Sequence, residues 1–174
     1  MESNSAQGTV WDMPPEGRVV VLGLGNILQS DDGVGVHAVR HLRQNSQFAD
    51  AVELVDGGTI SFSLLELIET SSALIVLDAV RLDGDAGDVR VFEGADMDRL
   101  LARPLVGSVH EVSLSEVLDM ARLRDGLPPR RALIGVLPQY LTWGDALSPV
   151  VKAALPRVAE LVGQVFIRWR DAQM

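Results

Sequence analysis

Three histidines and a handful of spaced acids are the residues in this chain able to do chemistry. Asp31 and Asp32 follow a short apolar run, Asp56 ends a second one, and Asp78 interrupts a third made of Leu, Ile, Val and Ala. A carboxylate in such a run must be paired, hydrogen-bonded or metal-bound, because burying it ionised and alone is too costly. Asp31 or Asp32 can serve the start of the following helix, but two consecutive acids are more than a cap needs. Asp56 precedes two glycines and suits either a turn or a site wall. His110 follows Gly107-Ser-Val in a loop and can reach a crevice. Two carboxylates and one imidazole from separate segments suit a divalent first-row metal with open positions. Asp32 and Asp78 are the catalytic candidates, and Asp32, Asp78 and His110 the metal-ligating ones.

Other chemistries fail on detail. His37 and His41 lie one turn apart (HAVRH), but a two-histidine zinc helix of the protease type needs glutamate directly after the first, where Ala38 stands. Both lie beside a Val34/Ala38/Leu42 stripe, so packing at its margin accounts for them. Gly23-Leu-Gly25 begins like a dinucleotide fingerprint, but Leu28 replaces the third glycine and no lysine follows to make a P-loop. A nucleotide-binding module is disfavoured accordingly. There is no G-x-S-x-G and no cysteine, which removes the common serine elbow, thiol catalysis and zinc–thiolate sites.

The elements that must position the acids alternate. Arg18–Leu24 and Ala73–Val80 read as buried strands, Ala51–Asp56 and Ala132–Leu137 as further strands, and Asp88–Phe92 as an edge strand. Between them lie helical stretches over about 32–44, 60–69 and 114–124, the last opened by the capping box Ser113-Leu-Ser-Glu116. Ser148-Pro149 gives an N-cap and first-turn proline for a final helix, with a kink expected at Pro156. This alternation predicts a single three-layer α/β/α domain over 18–170, with a mostly parallel, twisted sheet of about five strands. Residues 1–17 are expected to form a flexible arm. Sites in such sheets lie beyond the carboxyl ends of the strands, where strand order reverses. With order 2-1-3, Asp32 and Asp78 converge there.

Net charge is −9 and pI about 4.7, with no basic cluster free of acids, so nucleic-acid binding is not expected. No secretory leader or membrane-spanning run is visible, and a cytoplasmic location is expected.

The segment Gly23-Leu-Gly25-Asn26-Ile-Leu-Gln-Ser-Asp31-Asp32-Gly33-Val-Gly35 resembles the opening signature of the hydrogenase maturation proteases. The resemblance continues through Val55-Asp56-Gly57-Gly58-Thr59, Leu77-Asp78-Ala79, Ser108-Val-His110-Glu111-Val and Leu133-Ile-Gly135-Val-Leu-Pro138. It implies a cytoplasmic endopeptidase that trims the C-terminal tail from the precursor of the [NiFe] hydrogenase large subunit after nickel insertion. Asp32, Asp78 and His110 are then the metal contacts. The nickel is carried by the precursor rather than kept as a cofactor, and another divalent ion can stand in for it in a crystal. Asn26, Asp56, Gly57 and Gly58 are expected at the substrate. Either the metal or one of the two acids would activate water. A non-catalytic nickel-checking chaperone would use the same ligands. Leu137 stands where the family often has glutamine, and Gln139 follows two residues on.

Overall fold

The computed structural model describes residues 17–44, 52–59, 62–102 and 114–172. Segments 1–16 and 103–113 lie outside the described residues, and with them most of the expected arm, His110 and Ser113 of the expected capping box.

Five strands form one sheet: β1 (Val19–Leu24), β2 (Glu53–Gly58), β3 (Ala73–Ala79), β4 (Val89–Glu93) and β5 (Arg130–Val136). Their spatial order is β2-β1-β3-β5-β4, parallel except for β4, which runs antiparallel to β5 at the edge. β1 and β3 are direct neighbours, with Gly23 opposite Leu77. Order reverses at this pair, since the chain leaves β1 for one edge and continues from β3 toward the other. The expected fold class and the central pairing are both observed.

Side-chain alternation sends each strand into two cores. Val19, Val21, Ile75, Leu77 and Ile134 face α1 (Val34–Arg43) and the C-terminal helix. Val20, Leu22, Leu74, Val76 and Leu133 face the helices on the other side. Those are α2 (Leu65–Glu69), α3 (Ala95–Leu101) and α4 (Leu114–Leu123). The final helix, α5 (Pro149–Asp171), opens with Ser148 as its N-cap and Pro149 in its first turn. Pro156 lies within it without ending it, and Val158, Val162, Phe166 and Trp169 carry it inward. Near the end of α5, Trp169 is buried and its Nε1–H donates to Glu93 at 3.0 Å. α3 was not expected. It is short and places one residue, Met97, fully in the core, too little for a periodic signal.

Candidate active site at the carboxyl ends of strands one and three

Two glycines bring the helix start onto the strand ends. Gly25 has φ +124°, and a Cβ there would lie 1.8 Å from the Asp32 carbonyl oxygen. A Cβ on Gly35 would lie 2.0 Å from the Leu77 carbonyl oxygen and 2.4 Å from that of Leu24. The first turn of α1 therefore rests on the ends of β1 and β3 at once, which no residue with a side chain permits. Asp32 lies in the 3₁₀ turn Ser30–Gly33 that leads into this contact, and Asp78 follows Leu77 directly. The site is a product of backbone proximity.

The adjacent acids divide their work. Asp31 is fully buried, and four donors converge on its carboxylate: Ser148 N–H at 2.7 Å, Ser148 Oγ–H at 2.8 Å, Gln139 N–H at 2.9 Å and Tyr140 N–H at 3.3 Å. It ties the segment after β5 to the turn after β1. Asp32 is only partly buried and accepts one hydrogen bond, from Asn26 N–H at 2.8 Å. Neither side chain caps α1. The carboxylates are used for longer-range contacts instead.

Asp78 is the perturbed group. Its carboxyl is pushed up to about 7, first by burial, with the negative charge of Asp32 adding, against a 2.8 Å hydrogen bond accepted from its neighbour Ala79 N–H. No ion pair is formed by Asp32 or Asp78 among the described residues. A buried acid under the field of a second one favours either its proton or a bound positive charge.

The remaining predicted residues fall as follows. Asn26 shapes the turn, its side-chain oxygen accepting from Leu28 N–H at 2.9 Å. Asp56 accepts from Gly58 N–H at 3.1 Å and faces Arg40 Nη2 at 3.3 Å, so both carboxylate oxygens have partners. Gly58 ends β2, its carbonyl accepting from Gly25 N–H at 2.8 Å, while Gly57 packs over Leu22 and Leu24. His37 is half-buried. Its Nε2 is the one buried polar side-chain atom without a hydrogen-bond partner among the described residues, and desolvation, then Arg40, lower its pKa. Among the described residues no group of three or more His, Cys, Asp or Glu is arranged to hold a metal.

One feature was not read from the sequence. A cleft of 460 Å³ opens past the ends of β3 and β5, between the loop that carries Val80, Leu82 and Ala86 and the segment Leu137–Leu141. Asp32 and Asp78 do not line it, but Val80 is two residues beyond Asp78 and the Gln139–Tyr140 wall hangs on Asp31. Leu137 is buried, which suits its apolar side chain where an amide was expected, and Gln139 lines the cleft.

Comparison with known proteins decides what this geometry belongs to. Residues 36–165 match the HycI family, described as hydrogenase maturation protease. The chain belongs to this family. The hydrogenase expression/formation protein HoxM of Cupriavidus necator is 35% identical over 152 residues, covering 87% of this chain and 75% of HoxM. The hydrogenase 2 maturation protease of Escherichia coli is 33% identical, with 83% of this chain and 88% of that protein covered. The solved structure of the hydrogenase maturating endopeptidase HybD from E. coli superposes with a TM-score of 0.76 at 33% identity, over 83% of this chain and 89% of that one. As a hydrogenase maturation protease the chain is a peptidase, and the acid pair at its strand ends is the candidate centre.

Proposed function

We propose that this protease removes the C-terminal peptide from the precursor of a [NiFe] hydrogenase large subunit once nickel has been inserted. In this reading Asp32, Asp78 and His110 contact the nickel that the precursor carries. The observation that supports it most is Asp32 and Asp78 at the β1–β3 ends, with the Asp78 carboxyl pushed up to about 7 by burial and by the Asp32 charge, and no side-chain cation paired with either among the described residues. A divalent ion presented by the substrate relieves that repulsion, and carboxylate and imidazole donors inspect a metal held by another protein's thiolates without extracting it. Direct attack by water is the simplest chemistry for a chain without cysteine or a G-x-S-x-G elbow, with either the substrate's metal or one of Asp32 and Asp78 activating it. The absence among the described residues of any helix long and apolar enough to cross a membrane accords with a cytoplasmic site of action.

Incubation of the purified chain with nickel-loaded and nickel-free precursor tests this. Loss of a C-terminal peptide from the loaded form alone is expected. Equal cleavage of both forms contradicts nickel recognition, and stable binding without cleavage means that the chain checks the metal without cutting.

A further inference from the structure

We infer that Leu28 and Trp143 form a projecting apolar ledge on which the folded body of the precursor docks, through an apolar depression in its own surface. This rests on the proposed processing function and names what holds the substrate besides its metal.

Two loops from distant parts of the chain build the ledge. Gly144 N–H donates to Leu28 O at 3.0 Å and Ser30 N–H donates to Gly144 O at 2.9 Å, so Gln29 and Gly144 pair as a short parallel bridge. Ser30 Oγ–H adds a bond to Thr142 O at 2.9 Å. The approach is close. A Cβ on Gly144 would lie 2.6 Å from Ser30 Oγ, and Ser30 itself takes φ +49°, a left-handed backbone that is costly for serine. Leu28 and Trp143 thus stand on adjoining backbone, fixed by hydrogen bonds rather than by burial of their side chains.

The same turn carries an acid of the candidate centre. Asn26 N–H donates to the Asp32 carboxylate at 2.8 Å, and Asn26 Oδ1 accepts from Leu28 N–H at 2.9 Å. Asp32 N–H in turn donates to Gln29 O at 3.1 Å. Leu28 is therefore tied to Asp32 through a single residue. The segment that bears Trp143 is tied to the adjacent Asp31 through Tyr140 N–H. The ledge belongs to the rim of the candidate centre.

Exposure sets the chemistry. Leu28 is 52% exposed and Trp143 is 81% exposed. Apolar side chains exposed singly are ordinary, but two brought together from separate loops beside a candidate centre mark a contact surface. Tryptophan is prominent among the side chains that carry interface energy, seated in a pocket of the partner. A side chain that projects this far enters a depression and cannot enclose an extended peptide, so the occupant is the folded body and not the tail. Its mounting on paired backbone keeps the ordering cost of docking low.

The test uses nickel-loaded precursor and the full chain as wild type, Leu28→Ala, Trp143→Ala, Trp143→Phe and Leu123→Ala. Leu123 is as exposed as Trp143 but lies at the end of α4, ahead of β5, and is the control. Leu28→Ala and Trp143→Ala are each expected to raise KM about tenfold or more, with kcat less affected and melting close to wild type. Trp143→Phe should recover part of the loss, and Leu123→Ala should match wild type. A synthetic tail peptide added as competitor should not distinguish wild type from Trp143→Ala. Unchanged KM in both folded alanine variants, or an equal rise in Leu123→Ala, overturns the ledge and leaves the protease function standing. A tail peptide that inhibits wild type more strongly than Trp143→Ala overturns the assignment to the folded body. Sedimentation of wild type as a dimer and of Trp143→Ala as a monomer overturns it in favour of a second copy of this chain. If wild type binds precursor without cutting, the processing function fails, and a Kd about tenfold weaker for Trp143→Ala still supports the ledge while an equal Kd overturns it.

Discussion

The carboxylate of Asp31 accepts a 2.7 Å hydrogen bond from the backbone N–H of Ser148, 117 residues further along the chain. The hydroxyl of the same serine donates to the other carboxylate oxygen at 2.8 Å and also accepts from Val151 N–H at 3.4 Å, within the first turn of α5. One acid therefore joins the turn after β1, the wall after β5 and the start of α5, while its neighbour Asp32 takes no part in that junction.

Asp31→Ala should be among the most destabilising single changes in the chain. It leaves three backbone N–H groups and a hydroxyl without their acceptor in a buried place, a loss of about 3–5 kcal/mol. Thermal unfolding should show a fall in melting temperature on the order of 10 °C. A variant that melts like wild type contradicts the anchoring role.

Gly25→Ala should also unfold the site. Its φ of +124° is strained for any side chain, and the added Cβ collides with the Asp32 carbonyl. A loss of about 3 kcal/mol or more is expected in urea unfolding.

Stability should depend on pH through Asp78 in the metal-free chain. Below about pH 4 its carboxyl is protonated folded and unfolded, and contributes no difference. Between about 4 and the folded value of about 7, the unfolded chain releases the proton while the folded chain retains it, so stability falls as pH rises. Asp78→Asn removes this penalty. With chelator present, the variant should gain on wild type across that window by about 2 kcal/mol, discounted for the residue's partial exposure. A gap that does not widen between pH 4 and 7 contradicts the burial argument.

Asp98 predicts the opposite slope. Arg131 engages it through Nε at 2.9 Å and Nη2 at 2.6 Å, and Arg122 approaches at 3.1 Å, holding its carboxyl below the usual range. Its contribution is present above the ordinary aspartate value and is lost as pH falls through the lower folded one. Asp98→Asn should cost about 1–2 kcal/mol at pH 7 and progressively less in acid, as chemical unfolding at several pH values will show.

Strand order, which sets the ends of β1 and β3 side by side, was legible because local apolar runs fix the strands and right-handed crossovers leave few topologies. The division of labour within Asp31-Asp32 was not. Both were read against the adjacent helix, whereas the donors that claim Asp31 come from residues 139, 140 and 148, and no local pattern marks contacts of that span. Ser148 was recognised as an N-cap, and that is half of its role. The cleft was invisible for the same reason, since its walls come from two loops more than fifty residues apart. Asp56 retained both readings in the sequence, and its pairing with Arg40 needs the packing of α1 on β2 to be seen.

The central claim is that Asp32 serves chemistry and Asp31 serves the fold. Asp32→Asn keeps an oxygen acceptor for Asn26 N–H and removes no core packing. The decisive measurement is cleavage of nickel-loaded precursor by purified Asp32→Asn, followed by mass spectrometry of the released peptide and set beside its melting temperature. His41→Ala serves as the control. The account predicts no detectable release from Asp32→Asn, with melting within a few degrees of wild type, and normal release from the control. Wild-type release by a folded Asp32→Asn would contradict it.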